Sequence, residues 1–290
     1  MFGSARARLA RRILRLGLIA RAADQHSGPV PDLSGTESVD TEWGPLYLDA
    51  RDEVILPALR EHGVWEPGET VLLRSHLRSR MTFLDVGAHV GYYTLMAARL
   101  VEPGGLVMAF EPSPRNYELL LANVWRNGLG NVLCHPWAVS DSNGFVDLYL
   151  DERNTGDNRT YRSAENRPRT RVRTVALDSL SALRPPIDAV KIDVQGPEDA
   201  VIRGMRRLLE GSPNAFITLE YWPYGLRSLG RDERATLRFY RSLGYRVQVQ
   251  NPEEPGVDDM TDDEIMAYCS AQDGQLHTNL VLTRDAGRRD

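Results

Sequence analysis

Residues 82–92 read Thr82-Phe83-Leu84-Asp85-Val86-Gly87-Ala88-His89-Val90-Gly91-Tyr92. A short apolar run stops at a glycine, and helical spacing then runs from Tyr92 to Val101. The pattern predicts a buried strand, a glycine turn and a helix. Glycine permits a sharp turn and a close approach of backbone to ligand. The turn delivers the chain to a helix N-terminus, whose first N–H groups have no partner within the helix. A second apolar run, Leu106 to Phe110, ends at Glu111. A carboxylate placed there can accept hydrogen bonds from both hydroxyls of a ribose.

Outward from this unit the alternation continues. A helix is expected over Pro114 to Asn127, a strand over Val132 to Val139 and another over Ile187 to Asp193. A helix follows over Glu198 to Leu209, a strand over Ala215 to Glu220 and a helix over Asp232 to Leu243. Strands over Tyr245 to Val249 and Asn279 to Thr283 close the series. Strands alternating with helices imply a parallel sheet covered on both faces. This places the binding domain at 81–290, with inserts at 142–177 and 252–270. The first insert holds two expected strands, Phe145 to Leu150 and Arg171 to Leu177, around an arginine-rich loop. The second is acidic, and both loops read as solvated charge runs. Residues 43–80 are expected to form a helical cap. Residues 1–42 read as a basic amphipathic helix and a polar linker, the helix packing on its own domain or a neighbouring subunit rather than on a membrane.

Composition narrows the function classes. The 290 residues carry 35 basic and 40 acidic side chains, a net charge of −5. Nucleic acid is not the expected partner, because phosphate backbones are bound by clustered positive charge. No apolar run approaches the ~18–20 residues of a bilayer span, so no stable membrane insertion is expected. Two cysteines, Cys134 and Cys269, are too few for a disulfide scaffold and suggest the cytoplasm. Lys191 is the single lysine among the 35 basic residues.

The loop separates two cofactor classes. A nicotinamide dinucleotide calls for G-x-G-x-x-G, with its pyrophosphate on the helix N-terminus. Here the spacing is G-x-x-x-G, preceded by Asp85. An acidic strand end suits a cation rather than a pyrophosphate, which favours S-adenosylmethionine (SAM), with its sulfonium and ammonium groups, over a dinucleotide. Asp85, Glu111, Asp193 and Glu220 all sit at predicted strand ends, where ligands of open α/β sheets bind, and together make a negative rim. Ala138 and Val139, after the third strand, are apolar candidates to pack on the adenine.

Three stretches together resemble the FkbM family of SAM-dependent methyltransferases: Asp85 to Tyr93, Phe110-Glu-Pro-Ser-Pro-Arg-Asn116, and Val190-Lys-Ile-Asp-Val-Gln-Gly-Pro-Glu198. Gly156 to Arg159 and Thr218 to Pro223 resemble stretches found in part of that family. The resemblance spans Trp43 to Thr283. It implies a class I, Rossmann-like doubly wound sheet of seven main strands, the last antiparallel, and O-methylation of sugars, polyketides or similar small natural products, the alternatives being N- or carboxyl-methylation of a small molecule or peptide, or a noncatalytic SAM-binding partner. It also implies a cofactor set of Glu66, Asp85, Gly87, Ala88, His89, Gly91, Tyr92, Glu111, Pro112, Ser113, Asn116, Ala138, Val139 and Asp193. Glu is usual at the position of Gln195.

Methyl transfer to an alcohol needs in-line alignment and a base for the hydroxyl proton. Alternate residues of a strand share a face, so Lys191, Asp193 and Gln195 point the same way if the strand extends that far. Asp193 and Glu220 are candidate bases. Lys191 either orients Asp193 or is itself the base, should burial lower its pKa. Asp193 and Glu220 around a divalent cation, or His89 or His277 as base, are further alternatives, although no histidine has metal-ligand spacing with another histidine or a cysteine. Asn158, Arg159, Tyr161, Gln195, Tyr221 and Trp222 are expected to face the acceptor, a small molecule. A homodimer is compatible with the sequence.

Overall fold

The structure, a computed structural model, describes residues 31–162, 166–251, 256–270 and 276–284. The expected N-terminal amphipathic helix lies outside the described residues. The first described elements are a hairpin of β1 (Thr36–Thr41) and β2 (Gly44–Asp49), then helices α1 (Ile55–His62) and α2 (Pro67–His76). The hairpin corrects the reading of this stretch as linker and helical cap. Its cause is the alternation Leu46-Tyr47-Leu48, which buries both leucines completely against the domain.

The glycine unit folds as expected: β3 (Thr82–Val86), α3 (Tyr92–Leu100), β4 (Leu106–Phe110), α4 (Pro114–Arg126) and β5 (Val132–His135). The single strand expected over Val132 to Val139 is broken at Pro136, which has no N–H for a ladder. Beyond it, β6 (Trp137–Val139) joins β7 (Gly144–Tyr149) and β8 (Arg169–Val175) in a separate three-stranded sheet ordered β6-β8-β7.

The chain then returns to the main sheet with β9 (Ala189–Ile192), α5 (Glu198–Gly204), α6 (Arg206–Glu210), β10 (Phe216–Tyr221), α7 (Pro223–Ser228), α8 (Glu233–Ser242), β11 (Arg246–Gln250), β12 (Val257–Asp259), α9 (Asp262–Ser270) and β13 (Thr278–Thr283). The one helix expected over Glu198 to Leu209 is two, divided at Met205. There Gly204 passes so close to the Ser140 carbonyl that a Cβ would lie 1.9 Å from its oxygen. The acidic insert, expected as a solvated loop, contributes β12 and α9.

Within the main sheet the order is β12-β11-β13-β10-β9-β3-β4-β5. β13 runs antiparallel to both its neighbours, β10 and β11. This is the class I methyltransferase arrangement of seven strands with the last reversed, extended by β12 at one edge. Side chains alternate between two cores. Leu84, Val86, Met108, Val190 and Ile192 pack on one face, while Phe83, Val107, Ala109 and Ala189 pack on the other. The strand order reverses between β3 and β9, which pair directly. A crevice at the C-terminal ends of strands flanking such a reversal is where ligands bind.

Candidate active site

A cavity of about 600 Å³ opens at that reversal. Its floor is the glycine turn. Gly87 has φ +83°, and a Cβ there would lie 1.7 Å from the Asp193 carbonyl oxygen. The Gly87 and Ala88 N–H groups both donate to the Phe110 carbonyl, at 2.9 and 3.0 Å. Glu111, 5% exposed, accepts the His89 N–H on Oε2 and the Ser113 N–H on Oε1, both at 2.8 Å. Each oxygen keeps a lone pair for a diol. Burial, partly offset by those two bonds, pushes the Glu111 carboxyl up to about 7. Trp137, Ala138 and Val139 line the same cavity. A carboxylate fixed by backbone, an apolar shelf and a glycine floor fit an adenosine ligand.

The second charged group stands at the end of β9. Lys191 Nζ donates to Asp193 Oδ2 at 2.9 Å, and Gln195 Nε2 donates to Asp193 Oδ1 at 2.9 Å. The strand stops at Ile192, yet the three side chains still form one row. Burial alone would lower the Lys191 ammonium, but Asp193, Glu69, Glu66 and Asp85 outweigh it and hold it well above the ordinary lysine value. Lys191 is therefore a fixed cation, which removes it as a base. Burial would raise Asp193; Lys191 and the hydrogen bond from Gln195 overcome this and keep the carboxylate below its ordinary value. Its side chain is 28% exposed, within reach of a ligand.

Glu220 also lines the cavity. It is 9% exposed, and its Oε2 is buried without a hydrogen-bond partner. Burial, reinforced by Asp193, Glu198 and Glu66, pushes its carboxyl well above the ordinary range. Glu66 is pushed up to about 8, by burial and by Glu69, and accepts the Tyr93 hydroxyl at 2.9 Å. The exposed His277 lies 3.8 Å from Glu220.

A third group was only partly foreseen. His89, at φ 50°, contacts Thr155 Oγ1 through Nε2 at 2.8 Å. The Thr155 hydroxyl donates to Asp52 Oδ2 at 2.5 Å. Burial would raise Asp52, but the bonds from Thr155 and the Leu56 N–H outweigh it and keep it ionised. Thr155 thus spends its proton on Asp52, so His89 Nε2 is the donor and Nδ1 the acceptor. Burial lowers His89 to about 4, leaving it neutral at neutral pH. Asp52 Oδ1 also accepts the N–H groups of Val54, Ile55 and Leu56, at 3.0, 2.6 and 3.1 Å, and so caps α1. The non-glycine residues described with left-handed backbone are Glu66, Arg80, His89 and Gln195; all but Arg80 line the cavity, as strain stored at a functional site would.

Of the expected residues, Glu66, Gly87, Ala88, His89, Tyr92, Glu111, Pro112, Asn116, Ala138, Val139, Asn158, Arg159, Lys191, Asp193, Gln195, Glu220 and Trp222 line the cavity. Five do not. Asp85 is 1% exposed beneath it and accepts the Thr94 hydroxyl at 2.5 Å. Gly91 is the cap of α3, packed against Leu120. Ser113 acts through its backbone on Glu111. Tyr161 lines a neighbouring cavity. Tyr221 is fully buried and donates to the Glu233 carbonyl on the far side of the sheet end. Two more line the wall but spend side-chain groups within it: Asn116 and Asn158 both donate to the Thr155 carbonyl, at 2.8 and 2.9 Å. Arg159 grips Asp157 with two bonds of 2.6 Å and lies 4.7 Å over the Trp222 ring.

Sequence reasoning expected Trp65 to cover the cofactor, and Trp65 lines the cavity; it assigned no role to Tyr93, Asp52, Thr155 or Glu198. Asp52, three residues before Ile55, carried a capping signal, and Tyr93 adjoins the quoted motif. Nothing local marked Thr155.

Among the described residues no helix is long and apolar enough to cross a membrane, and no three histidines, cysteines or carboxylates are grouped to hold a metal ion. Hexuronic acid methyltransferase AglP of Haloferax volcanii is 29% identical over 128 residues, 43% of this chain and 50% of that protein. The chain thus spans about half the length of the curated relative it matches. A crystal structure of methyltransferase FkbM from Methylobacillus flagellatus is 16% identical, covering 70% of this chain and 43% of that one, with a TM-score of 0.44. The TYW2 protein of M. jannaschii in complex with SAM is 14% identical, covering 86% and 85%, with a TM-score of 0.46. The family profile described as Methyltransferase FkbM domain matches residues 85–247, more than half of the chain and the whole span from the glycine turn to β11. The chain belongs to the FkbM family of methyltransferases, and its methyl donor is SAM.

Proposed function

We propose that the chain methylates a hydroxyl of a small polyhydroxylated or glycosylated natural product, with Asp193 as general base. The observation that carries this reading is the Lys191–Asp193–Gln195 row, which holds one ionised, reachable carboxylate at the cavity floor. When bound, SAM supplies an electrophilic methyl group on a sulfonium. An alcohol is weakly acidic, so its proton must leave as the oxygen attacks. Asp193 takes it, with Lys191 and Gln195 fixing one oxygen each so that the free lone pairs face the acceptor. A glutamate at position 195 would add a second negative charge beside Asp193, whereas Gln195 adds a donor. Glu220, kept protonated by its surroundings, donates to a neighbouring hydroxyl through its unpartnered oxygen. Trp222, with Arg159 stacked on it, forms a flat wall for a sugar ring.

An acceptor carboxylate at the transfer position would be repelled by the ionised Asp193. A relative named for a hexuronic acid supports a sugar, and the ionised Asp193 favours a reacting hydroxyl remote from any negative charge of the acceptor. The partner is a small molecule, not nucleic acid. We place the protein in the cytoplasm, where Cys134 and Cys269, both buried free thiols, stay reduced.

The test is release of S-adenosylhomocysteine (SAH) from SAM over a panel of neutral glycosides, amines and carboxylic acids. Turnover with glycosides alone is expected. Turnover confined to amines or acids overturns O-methylation.

A further inference from the structure

The three-stranded sheet has one face in the domain and one in solvent. Ala138, Leu148 and Val172 pack inward as a small core. The outward positions of β8 are Arg169, Arg171 and Arg173, all exposed. Opposite them on β7 stand Tyr149, Asp147 and Phe145, in register with those arginines in that order. Phe145 is 66% exposed, with the Arg171 guanidinium 5.1 Å over its ring, and Arg173 lies 5.0 Å over Trp137. Asp147 pairs with Arg169 at 2.7 Å, while Arg171 and Arg173 form no ion pair among the described residues. This basic face belongs to a chain of net charge −5.

The face also borders the site. A second cavity of about 560 Å³ is lined by Phe145, Asp147, Tyr149, Tyr161, Arg162 and Arg171, the Asp147 carboxylate being paired with Arg169. Phe145, Val146 and Thr160 line both this cavity and the active-site cavity, so the two adjoin. Thr160 and Tyr161 directly follow Arg159, which flanks the proposed acceptor wall. The ionised Asp193 stands in the active-site cavity, and Arg162 and Arg171 stand in its neighbour. A uniformly charged acceptor cannot satisfy both. Arg162 and Arg171, which both line this cavity, offer two guanidinium forks and suit a dianion with several oxygens.

We propose that this arginine–aromatic face is a distal subsite for a phosphate ester on the acceptor, a ring next to that phosphate packing on Phe145 while the neutral hydroxyl end enters the transfer site. The inference rests on the methyl-transfer reading and narrows the acceptor's class: a glycoside whose remote end carries a phosphate ester, bound more tightly than a neutral one.

The test uses the full chain saturated with SAH, titrated with inorganic pyrophosphate and with uridine diphosphate, for wild type and the R162E/R171E variant. These exposed residues lie outside the cofactor cavity, so SAH affinity reports that the variant is folded. Wild type is expected to bind both probes, uridine diphosphate more tightly because its ring packs on Phe145. The variant should bind each at least about tenfold more weakly, with SAH affinity unchanged and probe binding falling as salt rises. Equal probe binding by both proteins, or no binding to wild type with SAH bound, overturns this inference alone. So does retention of the protein on anionic vesicles or RNA through Arg162 and Arg171 without pyrophosphate binding, since the face then serves a macromolecule. A wild-type chain that fails to bind SAH overturns the methyl-transfer reading and this inference with it.

Discussion

Gly87 and the Asp193 backbone share one space: a Cβ on Gly87 would lie 1.7 Å from the Asp193 carbonyl oxygen. The glycine turn and the β9 end, more than 100 residues apart, are therefore one unit. The glycine is required by the neighbouring strand as well as by any ligand. Gly87→Ala should destabilise the fold by roughly 2–5 kcal/mol through the clash and the φ of +83°. Thermal unfolding of the purified variant checks this, and an unshifted Tm would mean that β9 yields easily at this point.

Asp193→Asn should lower turnover by about 10²–10⁴ while SAH affinity changes only a few-fold. Calorimetry and a SAH-release assay separate the two effects. A variant with near-normal turnover would show that Asp193 is not the base.

Lys191→Met should shift a pH profile. Lys191 holds the Asp193 pKa down, so base function is present above the folded pKa and is lost as pH falls through it. Without the ammonium that pKa rises, and the acid limb of kcat/KM moves to higher pH. An unmoved limb would show that Asp193 is not the titrating base.

The carboxyl cluster gives the ligand-free protein an unusual stability profile. Burial raises Asp85 to about 6, Glu111 and Glu198 to about 7 and Glu66 to about 8. Each binds its proton more tightly folded than unfolded. The associated stability is full below the unfolded values, near 4, and is lost as pH rises through 6 to 8. The apo chain should therefore melt at a higher temperature near pH 5.5 than near pH 8.5. Scanning calorimetry across that window checks the sign.

Asp52→Ala should cost about 2–3 kcal/mol, because it removes both the cap of α1 and the acceptor of the Thr155 hydroxyl. It should also expose the loop after Asp151 to limited proteolysis, whereas Tyr221→Phe should leave turnover unchanged.

The sheet was legible because its strands are short apolar runs ended by glycine or a carboxylate, and buried parallel strands demand that pattern. The ligand-facing row was legible for the same reason: strand ends fix where Lys191, Asp193 and Glu220 emerge. The hairpin at 36–49 was not, because its strands are half polar and a Pro-Gly-rich neighbourhood reads as linker. Tyr221 was misplaced because side chains alternate, so only one of two neighbours at a strand end can face the crevice, and Glu220 takes it. Thr155 and Asp52 were invisible as partners because a bond across 103 residues leaves no local trace.

Titration calorimetry of SAH against wild type and Glu111→Ala tests the central claim most directly. The account predicts saturable heat with wild type and at least about tenfold weaker binding for the variant, which loses the acceptor of the ribose diol. No heat with wild type, or identical affinities for both proteins, would contradict it.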